Sequence, residues 1–164
     1  MRTIFLIEQH HFREAMSHLA SAVSILTSGG PAGTIGLTVS SVTSVTDSPA
    51  TLLVCINQSS EVHDIIRQNG KVTVNILKPE HQNLALHFAA MGDSSMRERL
   101  SWDVWQEGEN GIPHLCNALV NLQGRIIAEN QIGTHSVFFI EIDRVQIRPG
   151  EALLYFNRTF KPLA

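Results

Sequence analysis

Between Ala22 and Phe160 strand-like runs follow one another, and helical stretches interrupt them only here and there. Ala22 to Ser28, with Val23, Ile25 and Leu26, reads as a strand that ends at the turn Gly29-Gly30-Pro31-Ala32-Gly33. Gly36 to Val42 reads as a strand bending into a polar loop. After Asp47-Ser48-Pro49, the near-continuous apolar run from Thr51 to Ile56 has the pattern of a buried strand. Lys71 to Leu77 alternates, with Val72, Val74 and Ile76 facing one way, as a half-buried strand does. Ala118 to Glu129, Gly133 to Ile147 and Ala152 to Phe156 are strand-like in composition. About seven strands with no βαβ rhythm favour an antiparallel barrel flanked by short helices over a doubly wound parallel sheet.

The helices are short. Phe12, Ala15, Met16 and Leu19 make one face of a helix from about His11 to Ala20. Ser59 or Ser60 is placed to N-cap a second helix whose inner face is Val62, Ile65 and Ile66. A third follows Pro79 with Leu84, Leu86 and Phe88, ending at Ala89-Ala90-Met91-Gly92, and Met96 to Leu100 is another short piece. With 164 residues and no linker or repeat, the chain reads as one mainly β domain, residues 1–164, with its barrel over about 22–160.

Composition narrows the function classes. Apolar residues make up 43% and charged residues 16%, against disorder. Twelve Lys and Arg against 15 Asp and Glu give a net charge of −3, without the basic excess of a nucleic-acid binder. The longest N-terminal apolar run, Ile4 to Ile7, is too short for a signal h-region or a membrane span. A cytoplasmic protein is the expectation, with Cys55 and Cys116 as buried reduced thiols.

Several chemistries lack their residues. The glycine-rich turn at Gly29–Gly33 has no Gly-Lys-Ser/Thr ending and opens no helix, so it is no phosphate loop. There is no Gly-x-Ser-x-Gly elbow. The eight histidines are scattered, with His81 and His87 off one helix face and His114-Leu115-Cys116 lacking a partner in sequence, so no metal site is expected.

Three polar stretches remain. Thr38-Val39-Ser40-Ser41-Val42-Thr43-Ser44 offers small hydroxyls and room for a flat ligand to approach the backbone, although a solvated edge strand has the same composition. Asn57-Gln58-Ser59-Ser60 stands at a strand-to-helix junction, where free N–H groups attract anions and an ordinary N-cap looks alike. Gly133-Thr134-His135 puts a histidine at a strand start, either aimed into a cleft or half-buried as a structural group.

In this order the segments resemble the flavin reductase family with its split-barrel flavin-binding fold. The likeness is carried by Phe12–Met16, Ala22–Thr27, Gly36–Val42, Thr46–Asn57, Val74–Leu77, His87–Ala89, Gly133–His135 and Leu154–Phe160. It spans about residues 11–163. The resemblance implies an NAD(P)H:flavin oxidoreductase that takes up FMN or FAD as a loosely held substrate, reduces it with NADH and releases it. It further implies a homodimer and a separate flavin-dependent oxygenase as partner. Reductases serving 4-hydroxyphenylacetate hydroxylation stand nearest within the family, and those of pyrimidine degradation share the pattern. A non-catalytic flavin-binding dimer of the same fold is the alternative. The flavin-contacting stretches carry over onto Thr38, Val39, Ser40 and Ser41, onto Cys55, Ile56, Asn57, Gln58, Ser59, Ser60, Glu61 and Val62, and onto Ala89 and Ala90. His135 takes the place of the family's nicotinamide-side histidine. Phe160, followed by Lys161, stands where many members carry a Tyr-His pair, and Ala90 where many carry Gly.

Overall fold

The computed structural model describes residues 6–163. Its main sheet is antiparallel throughout and has seven strands in the order β3-β2-β6-β9-β10-β5-β4. These are β2 (Ser24–Ser28), β3 (Ile35–Val39), β4 (Thr43–Asp47), β5 (Ala50–Asn57), β6 (Lys71–Ile76), β9 (Val120–Ile132) and β10 (His135–Ile147). The two outermost strands, β3 and β4, are consecutive in the chain, with only residues 40–42 between them. Three residues span roughly 10 Å at most, so the two sheet edges must meet and the sheet rolls into a barrel. At that seam the Ser41 hydroxyl replaces a missing ladder rung: it accepts from the Cys55 N–H and donates to the Cys55 carbonyl, both at 3.1 Å.

Alternation on the strands fills the interior. Leu26, Ile35, Val39, Leu52, Val54, Ile56, Val72, Val74, Phe138 and Ile140 are buried there together. Helix α2 (His63–Asn69) is not wholly outside, because Val62 and Ile66 join this interior core. A second core lies on the outer face of β2 and contains Val23, Ile25, Leu77, Ala85, Phe88, Leu115 and Leu153. It is covered by α3 (Gln82–Phe88), by α4 (Met96–Ser101), by the hairpin β7 (Trp105–Glu107) with β8 (Pro113–Leu115), and by a small sheet. That sheet is β1 (Ser21–Ala22), β11 (Leu153–Phe156) and β12 (Thr159–Pro162).

This second layer corrects the half-buried reading of Lys71–Leu77. Val72, Thr73, Val74 and Asn75 are all fully buried. The polar side of β6 faces the β7–β8 hairpin and is satisfied there: Asn75 donates to the Ile25 carbonyl at 2.8 Å and accepts from the Leu115 N–H at 2.9 Å and the Asn121 amide at 2.8 Å. The Ala22–Ser28 run is split at Val23, whose N–H pairs with Leu153 while its carbonyl serves Leu77. Beyond the polar loop the chain forms β4, an edge strand exposed along its whole length, which gave no apolar signal to read. The first helix, α1, runs Gln9–Ser17 and not to Ala20. His18 closes it, and the Asn157 N–H donates to the Ser17 carbonyl at 2.6 Å. Phe12, Met16 and Leu19 remain exposed. Among the described residues no helix is long and apolar enough to cross a membrane.

Candidate functional site

The seam is where the polar segments converge. Two clefts open on either side of Thr38, Val39 and Ser40, which line both. The first, of about 410 Å³, is walled by Leu86, Ala89 and Met91 at the end of α3 and by Tyr155 and Phe160 of the small sheet. It is a largely apolar slot with a backbone floor. The second, of about 330 Å³, is walled by Ser41, Cys55, Asn57, Ser60 and His135. It is the more polar of the two, although Leu37, Val39 and Ile56 also line it, and it holds no lysine or arginine.

Local chemistry sets each wall. Thr38 donates its hydroxyl to the Ala85 carbonyl at 2.6 Å, which fixes α3 against β3. Gly36 allows the same approach, because a Cβ there would lie 2.6 Å from the Phe88 ring. Asn57 accepts from both the N–H and the hydroxyl of Ser59 at 2.9 Å and so shapes the turn itself. Helix α2 starts only at His63, and its N-cap Val62 makes no side-chain cap. The N-cap expected at Ser59 or Ser60 is thereby replaced by an Asx turn one step earlier.

His135 is exposed at the first position of β10, paired with Asn57 on β5 and Ile132 on β9. Its Nδ1 lies 2.8 Å from the Thr134 hydroxyl, and its carbonyl accepts from the Gln58 side chain at 3.0 Å. The half-buried alternative for this residue does not hold. Gly133, at φ 57°, makes the two-residue turn that sends the chain back from β9.

The structure does not bring every expected residue to a cleft. Thr38, Val39, Ser40, Ser41, Cys55, Ile56, Asn57, Ser60, His135, Ala89 and Phe160 line one or both. Val62 and Ile56 are buried with the barrel core, Ile56 reaching a cleft only at its margin. Gln58, Ser59, Glu61 and Ala90 line neither cleft. Ala90 holds φ 59° and turns the chain out of α3, a conformation that glycine adopts without strain. Burial pushes the Cys55 thiol up, away from thiolate chemistry.

Sequence reasoning missed the groups that hold the polar cleft in shape. His63 is fully buried, with Nε2 2.8 Å from the Ser136 hydroxyl. Ser136 donates its one hydrogen to Glu129 at 2.7 Å, and His63 Nδ1 lies 2.9 Å from the Asp64 carboxylate. Arg67 closes the chain with two bonds to Glu129 at 2.8 and 3.0 Å and holds its carboxyl below the usual glutamate range. The chain joins α2, β9 and β10 immediately behind the Asn57–Ser60 turn and His135. Polar residues spread over positions 63, 67, 129 and 136 share no local spacing that could reveal it. Also missed were Val23, Gln82, Leu86, Met91, Tyr155, Arg158 and Thr159 of the apolar cleft.

Comparison with known proteins agrees with this architecture. The flavin reductase like domain matches residues 16–164. The 4-hydroxyphenylacetate 3-monooxygenase reductase component of Pseudomonas aeruginosa is 47% identical over 156 residues, 94% of this chain and 92% of its own. The FMN reductase (NADH) RutF of Pseudomonas syringae is 40% identical over 161 residues, 98% of this chain and 89% of its own. The NADH:FAD oxidoreductase SgcE6 of Streptomyces globisporus, solved in complex with NAD and FAD fragments, superposes with a TM-score of 0.87 at 25% identity, covering 98% of each chain. The chain belongs to the flavin reductase family, and its rolled sheet is that family's split barrel. It is an enzyme, a flavin oxidoreductase.

Proposed function

We propose that this chain is the NADH-dependent reductase component of a two-component monooxygenase of the 4-hydroxyphenylacetate 3-hydroxylase type. In that role it takes up free FMN or FAD, reduces it and releases it to a separate oxygenase. The observation that carries the reading is the pair of open clefts sharing the Thr38–Ser40 floor, one largely apolar and the other richer in hydroxyl and amide groups. A flat ring system suits the apolar slot between that floor and Ala89, Met91 and Phe160. Ser40, Ser41, Asn57 and Ser60 offer neutral donors to a polar chain. The near full-length identity to the Pseudomonas aeruginosa reductase component supports the choice of oxygenase class.

Hydride transfer between a nicotinamide and a flavin needs the two rings stacked at about 3–3.5 Å. The cofactors carry the electronics, so the protein's task is orientation. The floor fixes one ring plane. His135, at the rim and free of the core, is placed to hydrogen-bond the carboxamide of the other. No acid or base is required for the hydride step. Openness on both sides suits a flavin that leaves after reduction.

The dimer is part of the same proposal. Exposed Leu19 and the start of the bare edge strand β4 line a trough that runs into the seam along Ser40–Thr43, and Phe12 and Met16 are exposed on α1 just before it in the chain. Sedimentation showing a monomer at micromolar concentration would remove that part. The function is tested by following NADH oxidation with added FMN or FAD, then coupling to a purified 4-hydroxyphenylacetate oxygenase. No flavin-dependent oxidation removes the reductase reading. Reduction without coupled hydroxylation, but with coupling to a pyrimidine oxygenase, moves the partner to that oxygenase class.

A further inference from the structure

The hairpin between β11 and β12 turns through Asn157 and Arg158, both at positive φ, 49° and 60°. That is the backbone of a tight turn whose second central position glycine fills without strain. An arginine there holds a left-handed conformation that its Cβ disfavours. A residue kept against its backbone preference, at the rim of a ligand cleft, points to a role for its side chain.

Arg158 lines the apolar cleft beside Thr159 and Phe160. Of the residues lining the two clefts it is the one with a permanent positive charge. Its Nη1 makes a single contact with Glu14 of α1 at 3.0 Å. Both side chains are more than half exposed, so the pair is weak and solvent-screened. The other guanidinium nitrogens stay available, and a guanidinium binds a phosphate through two parallel bonds. Helix α1 does not depend on the pair alone, since the Asn157 N–H also holds the Ser17 carbonyl.

We infer that Arg158 reads a phosphate of the incoming substrate at the mouth of the apolar cleft, and that Glu14 competes for the guanidinium until the phosphate displaces it. The inference rests on the flavin reductase reading, in which a flavin nucleotide and a nicotinamide dinucleotide are both substrates and both carry phosphates. The shared chemistry is a phosphate or pyrophosphate oxygen pair.

The test compares substrates with and without phosphate: FMN against riboflavin at saturating NADH, and NADH against reduced nicotinamide riboside at saturating FMN. Arg158→Gly should raise the KM of the phosphate-bearing member of one pair about tenfold, the loss expected for a charge-assisted bond. It should leave the phosphate-free member unchanged, and the variant should melt no lower than the parent, because glycine relieves the turn. Glu14→Gln should lower the same KM, by releasing the guanidinium. The pair that responds identifies the source of the phosphate. If both variants raise KM together, or if phosphate-bearing and phosphate-free substrates shift alike, Arg158 only ties α1 to the hairpin and the inference falls. An unchanged KM in Arg158→Gly for both pairs overturns it as well. Absence of turnover by the parent protein with every flavin would instead sink the reductase reading, and this inference with it.

Discussion

Two groups of small polar side chains lie on neighbouring strands of this barrel, and they are put to opposite use. In the buried group Thr27, Asn75 and Asn121 are fully enclosed, and Asn75 alone ties β2, β8 and β9 together. At the seam Ser40, Ser41, Asn57 and Ser60 sit on strand ends or in turns that open on clefts. Both groups read alike in sequence, as Ser, Thr and Asn among β-branched residues. The difference is whether a second layer covers them. Where the β7–β8 hairpin lies over β6, every amide must find a partner within the protein. Where β3 and β4 part at the seam, no layer follows, and polar groups stay open to solvent and ligand.

The contrast is broken most severely at Asn75. Asn75→Ala leaves the Leu115 N–H and the Asn121 amide without their buried acceptor, a loss of about 3–5 kcal/mol from a domain holding about 5–15. A fall in unfolding free energy of that size, read as a lower denaturant midpoint, is expected, with the remaining folded protein keeping its KM for flavin. Gly36→Ala acts between the two groups. Its methyl would press on the Phe88 ring at 2.6 Å, and overpacking of this kind costs about 1–3 kcal/mol. Because Phe88 ends α3, the apolar cleft should widen and flavin KM rise with the loss of melting temperature.

Milder changes sharpen the comparison. Ser41→Ala removes the hydroxyl that bridges Cys55 N–H and carbonyl. About 1 kcal/mol of stability should go, less than at Asn75 because the seam is half open to water. His135→Ala should leave the melting temperature alone, since the side chain is exposed. One neutral hydrogen bond is worth about 0.5–1.5 kcal/mol, so a roughly 2- to 13-fold rise in NADH KM or fall in turnover is expected. A drop in melting temperature with unchanged NADH kinetics would return His135 to the structural side.

The smallest effect is read in pH. Glu129 is held below the ordinary glutamate value of 4.5, chiefly by Arg67 and further by Ser136. A carboxyl with a depressed folded pKa contributes stability above its unfolded pKa and loses it as pH falls through the folded value. Acid titration below about pH 4.5 should therefore destabilise the parent protein more steeply than Glu129→Gln. Parallel acid limbs would show that the Arg67–Glu129 contact contributes nothing measurable.

Local patterns in the sequence determined the strand-rich order, the antiparallel class and the alternation that fills the barrel interior. The near-continuous apolar run of β5, the alternation of β6 and the turn residues at Gly29–Gly33 and Ser48-Pro49 depend only on neighbours in the chain. The polar stretches at Thr38–Ser41, at Asn57–Ser60 and around His135 were legible for the same reason: each is a short run of unusual composition. Tertiary structure alone decided the rest. It buried the polar face of β6 and left the apolar face of α1 uncovered. It also assembled His63, Arg67, Glu129 and Ser136 from three elements and carried Arg158 to the cleft with Thr38. Strand pairing and helix turns are set by spacing along the chain. Burial and partnership are set by which layer arrives over a face, and that layer comes from residues tens of positions away.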